Sequence, residues 1–193
     1  VLVSDLSPEL LTRAVRGDAR ALREVAEALL PRVHALAYRV TGNRADAEDV
    51  SQEAFLRLWK MLPDYDPRRA RLSTWLYRVT LNLAIDRTRR RREAPIPEDY
   101  DAASGDPTQE DRWLARDVQA RVRKAVAALP DRQRQAIWLS HFDDLGNEGI
   151  ADVLGVSVEA VESLLARARR SLRTGLADVR ADLSDLRAGG VEA

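Results

Sequence analysis

Apolar residues recur along this chain at three- and four-residue intervals. Leu22, Val25, Ala26, Leu29, Val33, Leu36, Ala37 and Val40 form one such stripe, the spacing of a helix with one buried face. No segment alternates apolar and polar residues over strand length, so no sheet is expected. Local punctuation places the helix ends. Ser7 followed by Pro8 reads as a cap and first turn, and Gly17 closes that short helix. Asp18 can cap the next helix, and Pro31 within it is expected to kink or restart it. Gly42-Asn43 is a turn. A third helix runs from about residue 44 to 61, with Asp46, Glu48 and Asp49 at the end where the helix dipole favours negative charge. Pro63 to Pro67 is a loop. Ser73 then reads as the cap of a long helix reaching into the Arg87–Arg92 run, with Leu72, Leu76, Val79 and Leu83 as its core stripe.

Residues 94–111 hold Pro95, Pro97, Gly105 and Pro107 and almost nothing to bury, which predicts a flexible linker. Helical patterns return at about 112–128, 131–142, 147–154 and 158–173, and Gly175 is a stop. Leu176, Val179, Leu183 and Leu186 could form one more short helix. The expected fold is therefore all-α: two small helical domains, 1–93 and 112–175, joined by a linker over 94–111 and followed by an extension over 176–193.

Charge sharpens this division. The 193 residues sum to a formal net charge of zero, with 32% charged and 45% hydrophobic residues. The zero is a balance of unlike parts. Residues 1–94 carry net +5, residues 95–111 net −6, residues 112–176 net +3 and residues 177–193 net −2. Two basic modules on either side of an acidic strip suit a polyanionic partner. Cysteine is absent, and His34 and His141 lie far apart, so thiolate chemistry and a metal centre are not expected. No apolar run approaches the ~18 residues of a membrane helix, and no signal peptide is read at the start. The expected location is the cytoplasm.

The segment Gly146-Asn147-Glu148-Gly149-Ile150-Ala151-Asp152-Val153-Leu154-Gly155-Val156-Ser157 reads as a short helix, a turn at Gly155 and a serine cap. A tight helix pair of this kind places its second helix in the DNA major groove. Along 158–173, Val161, Leu164, Leu165, Ala168 and Leu172 share one face. The other side offers Glu159, Ser163, Ala166 and Arg170, flanked by Glu162, Arg167, Arg169 and Arg173. Arginine can bond guanine or phosphate, serine can bond bases or backbone, and alanine allows close approach. The bland alternative is a solvated helix in a bundle.

The long helix after Ser73 has a second arc about 80° wide: Trp75, Arg78, Asn82, Asp86 and Arg89. An aromatic, an amide and arginines in a row can stack on and hydrogen-bond unpaired bases. Arg87, Arg89, Arg90, Arg91 and Arg92 can neutralise phosphates. No phosphate-cradling glycine loop, metal-ligand cluster or nucleophile with a placed base is present, so an enzyme is not expected.

Two strings carry a resemblance. Asp46-Ala-Glu-Asp-Val-Ser-Gln-Glu-Ala-Phe-Leu-Arg-Leu-Trp59, followed by Ser73-Thr-Trp-Leu-Tyr-Arg-Val-Thr-Leu-Asn-Leu-Ala-Ile-Asp86 and its arginines, resembles bacterial sigma factors of the extracytoplasmic-function (ECF) group of the sigma-70 family. Leu129-Pro130 through Leu172 resembles that group's fourth region. The resemblance spans about residues 8–173. It implies a protein that joins core RNA polymerase and directs it to promoter DNA, with no cofactor and no small-molecule substrate. It implies that Asp46, Asp49, Gln52, Glu53 and Arg57 grip the polymerase. It implies minus-ten contacts by Trp75, Arg78, Asn82, Asp86, Arg87, Arg89 and Arg90, with a loop near Asn82 that captures a flipped base. Glu159, Glu162, Ser163, Ala166, Arg167, Arg170 and Arg173 would read the minus-thirty-five element. The group is commonly held inactive by an anti-sigma protein, so such a partner is expected. The resemblance also implies a linker that threads through polymerase toward the RNA path, where Glu98, Asp99, Asp101 and Asp106 would mimic nucleic acid.

The chain departs from the family where the first helix of the pair should open with a capping box. Those positions are Gly146 and Gly149, with Asn147 as a substitute cap, so a loosened helix is expected. Glu162 and Leu164 stand where basic residues are common. The competing reading is an autonomous helix-turn-helix regulator, which would leave the Asp46–Trp59 string without a role.

Overall fold

The computed structural model describes residues 6–66, 71–93, 109–141, 145–177 and 179, all helix or connection with no strand among them. The helices are α1 (Pro8–Val15), α2 (Ala19–Thr41), α3 (Arg44–Met61), α4 (Leu72–Glu93), α5 (Gln109–Ala127), α6 (Asp131–Leu139), α7 (Gly146–Leu154) and α8 (Val158–Gly175), with a 3₁₀ turn at Leu62–Asp64. Two compact units emerge. One comprises Val1–Tyr100 with Trp138–Val158, the other Asp101–Ile137 with Glu159–Ala193.

In the first unit, capping sets the helix boundaries. Ser7 accepts from the Leu10 amide at 3.1 Å, and Asp18 accepts from the Arg20 and Ala21 amides at 2.8 and 3.1 Å. Asp18 also receives Arg13 Nε at 3.0 Å, which braces the α1–α2 corner. This arginine, together with the two amides, holds the Asp18 carboxyl below the ordinary carboxylate range. Gly42, at φ 64°, ends α2, and Asn43 caps α3 through the Asp46 amide at 2.9 Å. α2 runs unbroken through Pro31 rather than restarting. The missing N–H frees only the carbonyl of Glu27, an exposed residue.

The core lies where α2, α3 and α4 meet. It holds Val25, Leu29, Val33, Leu36, Ala54, Leu58, Leu76 and Tyr77. α4 corrects the expected stripe. Val79 and Leu83 are only half-buried, whereas Thr80, Leu81 and Ala84 are buried beside Leu76 and Tyr77. α4 packs against both α2 and α3, so its buried surface is wider than one stripe and rotated from the most apolar one. Thr80 fits there because its hydroxyl donates back to the Leu76 carbonyl at 2.8 Å. Ser73 is not the cap either. The Trp75 amide already donates to the Arg71 carbonyl, so the helix opens before Ser73, which lies inside the first turn. α4 then continues without a break past Asn82.

In the second unit, Arg134 pins the α5–α6 turn by donating to the carbonyls of Ala127 at 2.8 Å and Leu129 at 3.1 Å. α5 begins at Gln109, so residues 109–111 of the expected linker are helical. The rest of that linker, with Glu98, Asp99, Asp101 and Asp106, lies outside the described residues, as does most of the 176–193 extension.

Candidate functional site

α3 exposes one face and buries the other. Ala47, Val50, Ala54, Phe55 and Leu58 are buried. Asp49, Gln52 and Arg57 are exposed, and Glu53 is half-exposed. Glu53 accepts from Arg57 Nε at 2.8 Å, one helical turn on. Asp46 differs from its neighbours: its side chain is only 14% exposed, against 59% for Asp49. Both carboxylates turn toward α4, where Arg87 donates to Asp46 and Asp49 at 2.8 Å each. Arg91 adds a third bond, to Asp46 at 3.2 Å. The arginine run is thus divided. Arg87 and Arg91, one turn apart, face the acids of α3, while Arg89 and Arg90 stand exposed elsewhere on α4.

The second arc of α4 is present as a surface. Arg78, Asn82, Asp86 and Arg89 are exposed, and Trp75 is half-buried at its start. Arg78 is engaged: its Nε donates to the Val153 carbonyl at 3.1 Å, and its Nη2 to the carbonyl of Asp152. α7 therefore packs on α4 within the first unit.

α7 opens without a side-chain cap, as the lost capping box predicts, and Asn147 does not replace it. Gly146 takes φ 52°, a left-handed value that favours glycine. At the other end Gly155, with φ 66° and ψ 42°, turns the chain and donates back to Ala151, and Val156 does the same at 3.1 Å. α8 begins three residues later. All of Glu159, Glu162, Ser163, Ala166, Arg167, Arg170 and Arg173 are exposed along it, opposite buried Val161, Leu165 and Ala168. Leu164 and Leu172 are half-buried edges of that face.

One feature escaped the sequence reading. A groove of about 580 Å³ runs between α2 and α3, lined by Leu30, Pro31, His34, Gln52, Phe55 and Trp59 among others. Phe55 and Trp59 form its aromatic wall, ring centroids 5.6 Å apart. Leu30 is 46% exposed, and Leu56, on the polar face of α3, is 54% exposed. Of the two, Leu30 lines the groove, and its place off the buried stripe of α2 is the signal the sequence carries for it. Among the described residues no three potential metal ligands converge, and no helix is long and apolar enough to cross a membrane.

Residues 25–94 match the sigma-70 region 2 family, and residues 119–172 match sigma-70 region 4. The chain is 40% identical over 154 residues to the ECF RNA polymerase sigma factor SigE of Mycolicibacterium smegmatis, covering 76% of this chain and 58% of that relative. It is 30% identical over 179 residues to the ECF RNA polymerase sigma factor SigW of Bacillus subtilis, covering 85% of this chain and 93% of the relative. Among solved structures it resembles CnrH, determined in complex with the cytosolic domain of CnrY. That likeness has a TM-score of 0.68 and 31% identity, over 91% of this chain and 99% of CnrH. The two regions occur in the order and at the positions where the exposed faces of α3, α4 and α8 lie, and the chain belongs to the extracytoplasmic-function group of the sigma-70 family of RNA polymerase sigma factors.

Proposed function

We propose that this chain is a transcription initiation factor that docks on core RNA polymerase through α3 and brings it to promoters through α4 and α8. The observation that carries the reading is the solvent-facing side of α3, with Asp49, Gln52 and Arg57 exposed and Glu53 half-exposed, opposite the buried Ala47, Val50, Ala54 and Leu58. A surface of that kind is open to a protein partner without loss of internal packing. The arc from Trp75 to Arg89 supplies stacking and hydrogen-bonding groups for unpaired minus-ten bases, with Arg90 beside it for phosphate. The exposed side of α8 supplies arginines and Ser163 for a minus-thirty-five duplex. Strand opening then needs no covalent chemistry: captured bases offset an unpairing cost of a few kcal/mol per step. The chain has no reaction of its own in this account and acts in the cytoplasm, where polymerase and DNA are. An anti-sigma protein that covers these faces is part of the same reading; the solved complex of CnrH with another protein supports it. An autonomous regulator is not favoured, because it leaves α3 unused.

The test is binding of the purified chain to purified core polymerase, followed by fluorescence anisotropy. The wild-type chain should bind, and Gln52→Arg, which adds charge on the exposed face, should weaken binding at least tenfold with helix content unchanged. Equal binding by the variant would remove α3 from the account.

A further inference from the structure

The two sets of residues expected to serve polymerase and DNA are bonded to each other. Asp46 and Asp49 belong to the first set and Arg87 to the second, yet Arg87 bridges both carboxylates at 2.8 Å. Asp46 is mostly withdrawn from solvent and accepts from Arg87 and Arg91 together. Its own backbone amide is held by Asn43, so the residue is fixed from both ends. Asp49 is the opposite case: exposed, and tied down only at the edge of the cluster.

We infer that Arg87 is a positioning residue for polymerase binding, not a phosphate contact: anchored on Asp46, it fixes the start of α3 against α4 and orients Asp49 on the polymerase-facing surface. This rests on the function proposed above. Moving Arg87 to a phosphate would break two charge-assisted bonds and leave a shielded carboxylate with Arg91 alone. Arg89 has no such tie. Its side chain is 71% exposed and its ion pair with Asp86 is a long 3.7 Å. Arg89 and Arg90 are therefore free to serve as phosphate contacts where Arg87 is not, and the run from Arg87 to Arg91 divides into structural and DNA-facing members one to three residues apart.

Two readouts separate positioning from phosphate contact. The first is the Kd of the full chain for core polymerase. The second is the salt dependence of promoter binding by the reconstituted holoenzyme. Each phosphate neutralised contributes about 0.7 to 0.9 to the slope of log K against log salt. Arg87→Gln should raise the Kd for core about fivefold, the loss expected for a small ion-pair network, and leave the slope unchanged. Arg89→Gln should lower the slope by about 0.7 to 0.9. In an Asp49→Ala background, Arg87→Gln should have less than half its effect on the Kd, because the carboxylate it orients is gone. A lower slope for Arg87→Gln, an unchanged Kd, or additive effects with Asp49→Ala would each overturn the inference; additivity would mean general destabilisation. A wild-type chain that fails to bind core would overturn the proposed function with it, whereas a binding-competent chain indifferent to Arg87→Gln would overturn this inference alone.

Discussion

Arg78 Nε donates to the carbonyl of Val153 at 3.1 Å, so a side chain of α4 completes the C-terminal end of α7. The last four carbonyls of a helix have no partner within it. In α7 the Ala151 carbonyl is taken by Gly155 and Val156, and those of Asp152 and Val153 by Arg78. A guanidinium there also meets the negative end of the helix dipole.

This contact has a measurable consequence in the free chain. Arg78→Ala should speed amide hydrogen exchange in 146–154 about fivefold, equivalent to about 1 kcal/mol of lost local stability. Arg78→Lys, which keeps the charge but not the two-pronged geometry, should fall between. Unchanged exchange in the alanine variant would show that the contact contributes nothing to α7.

The two glycines that open α7 should respond in opposite directions. Gly149 lies within the helix, and an added Cβ would first meet the Leu145 side chain, nearest at its Cδ2 atom, 3.0 Å away. That flexible end can yield, so Gly149→Ala should raise Tm, the helix gaining up to ~1 kcal/mol of propensity. Gly146 is left-handed, and Gly146→Ser should cost about 1 kcal/mol although serine restores the family's usual cap residue. Thermal melts of both variants decide the matter; a stabilising Gly146→Ser would contradict the backbone argument.

Asp18 gives a pH signature. Its carboxyl is held low by Arg13 first and by the capped amides second. A depressed native pKa means stability that is present above about pH 4 and is lost as pH falls through the native value. Asn is as good a cap but carries no charge. Asp18→Asn should therefore be less stable than wild type at pH 7, and the gap should close below about pH 4. Urea melts across this range measure it, and a gap that widens on acidification would have the wrong sign.

The register of α4 can be tested by truncation. Leu81 is buried and Leu83 only half-buried. Leu81→Ala should cost about 2 to 4 kcal/mol, and Leu83→Ala less than half of that. The reverse order would favour the stripe suggested by the apolar spacing alone.

That stripe shows where local reading stops. Asp18, Gly42, Asn43 and Gly155 were legible because capping and left-handed turns depend on a few adjacent residues. The α3 boundaries followed from the same rules. The buried face of α4 did not, because it is set by α2 and α3 together, and a threonine satisfied by its own helix counts as apolar there. The exposed arc from Arg78 to Arg89 and the outer side of α8 were legible from angular spacing. The division of the arginine run was not: a charge tens of residues away in sequence decides whether Arg87 faces an acid or the solvent. The groove between α2 and α3 was not legible, because it depends on how the two helices pack side by side and leave Phe55 and Trp59 facing Leu30 and Pro31.

In the proposed function this chain makes promoter opening by core polymerase possible. Run-off transcription with purified core polymerase and a library of promoter templates tests it directly, with permanganate footprinting to detect unpaired thymines. Transcripts and melted DNA should appear from a subset of templates only when the chain is present, and both should be lost with Gln52→Arg. Failure to form an open complex on any template, with a chain that is folded and bound to core, would contradict it.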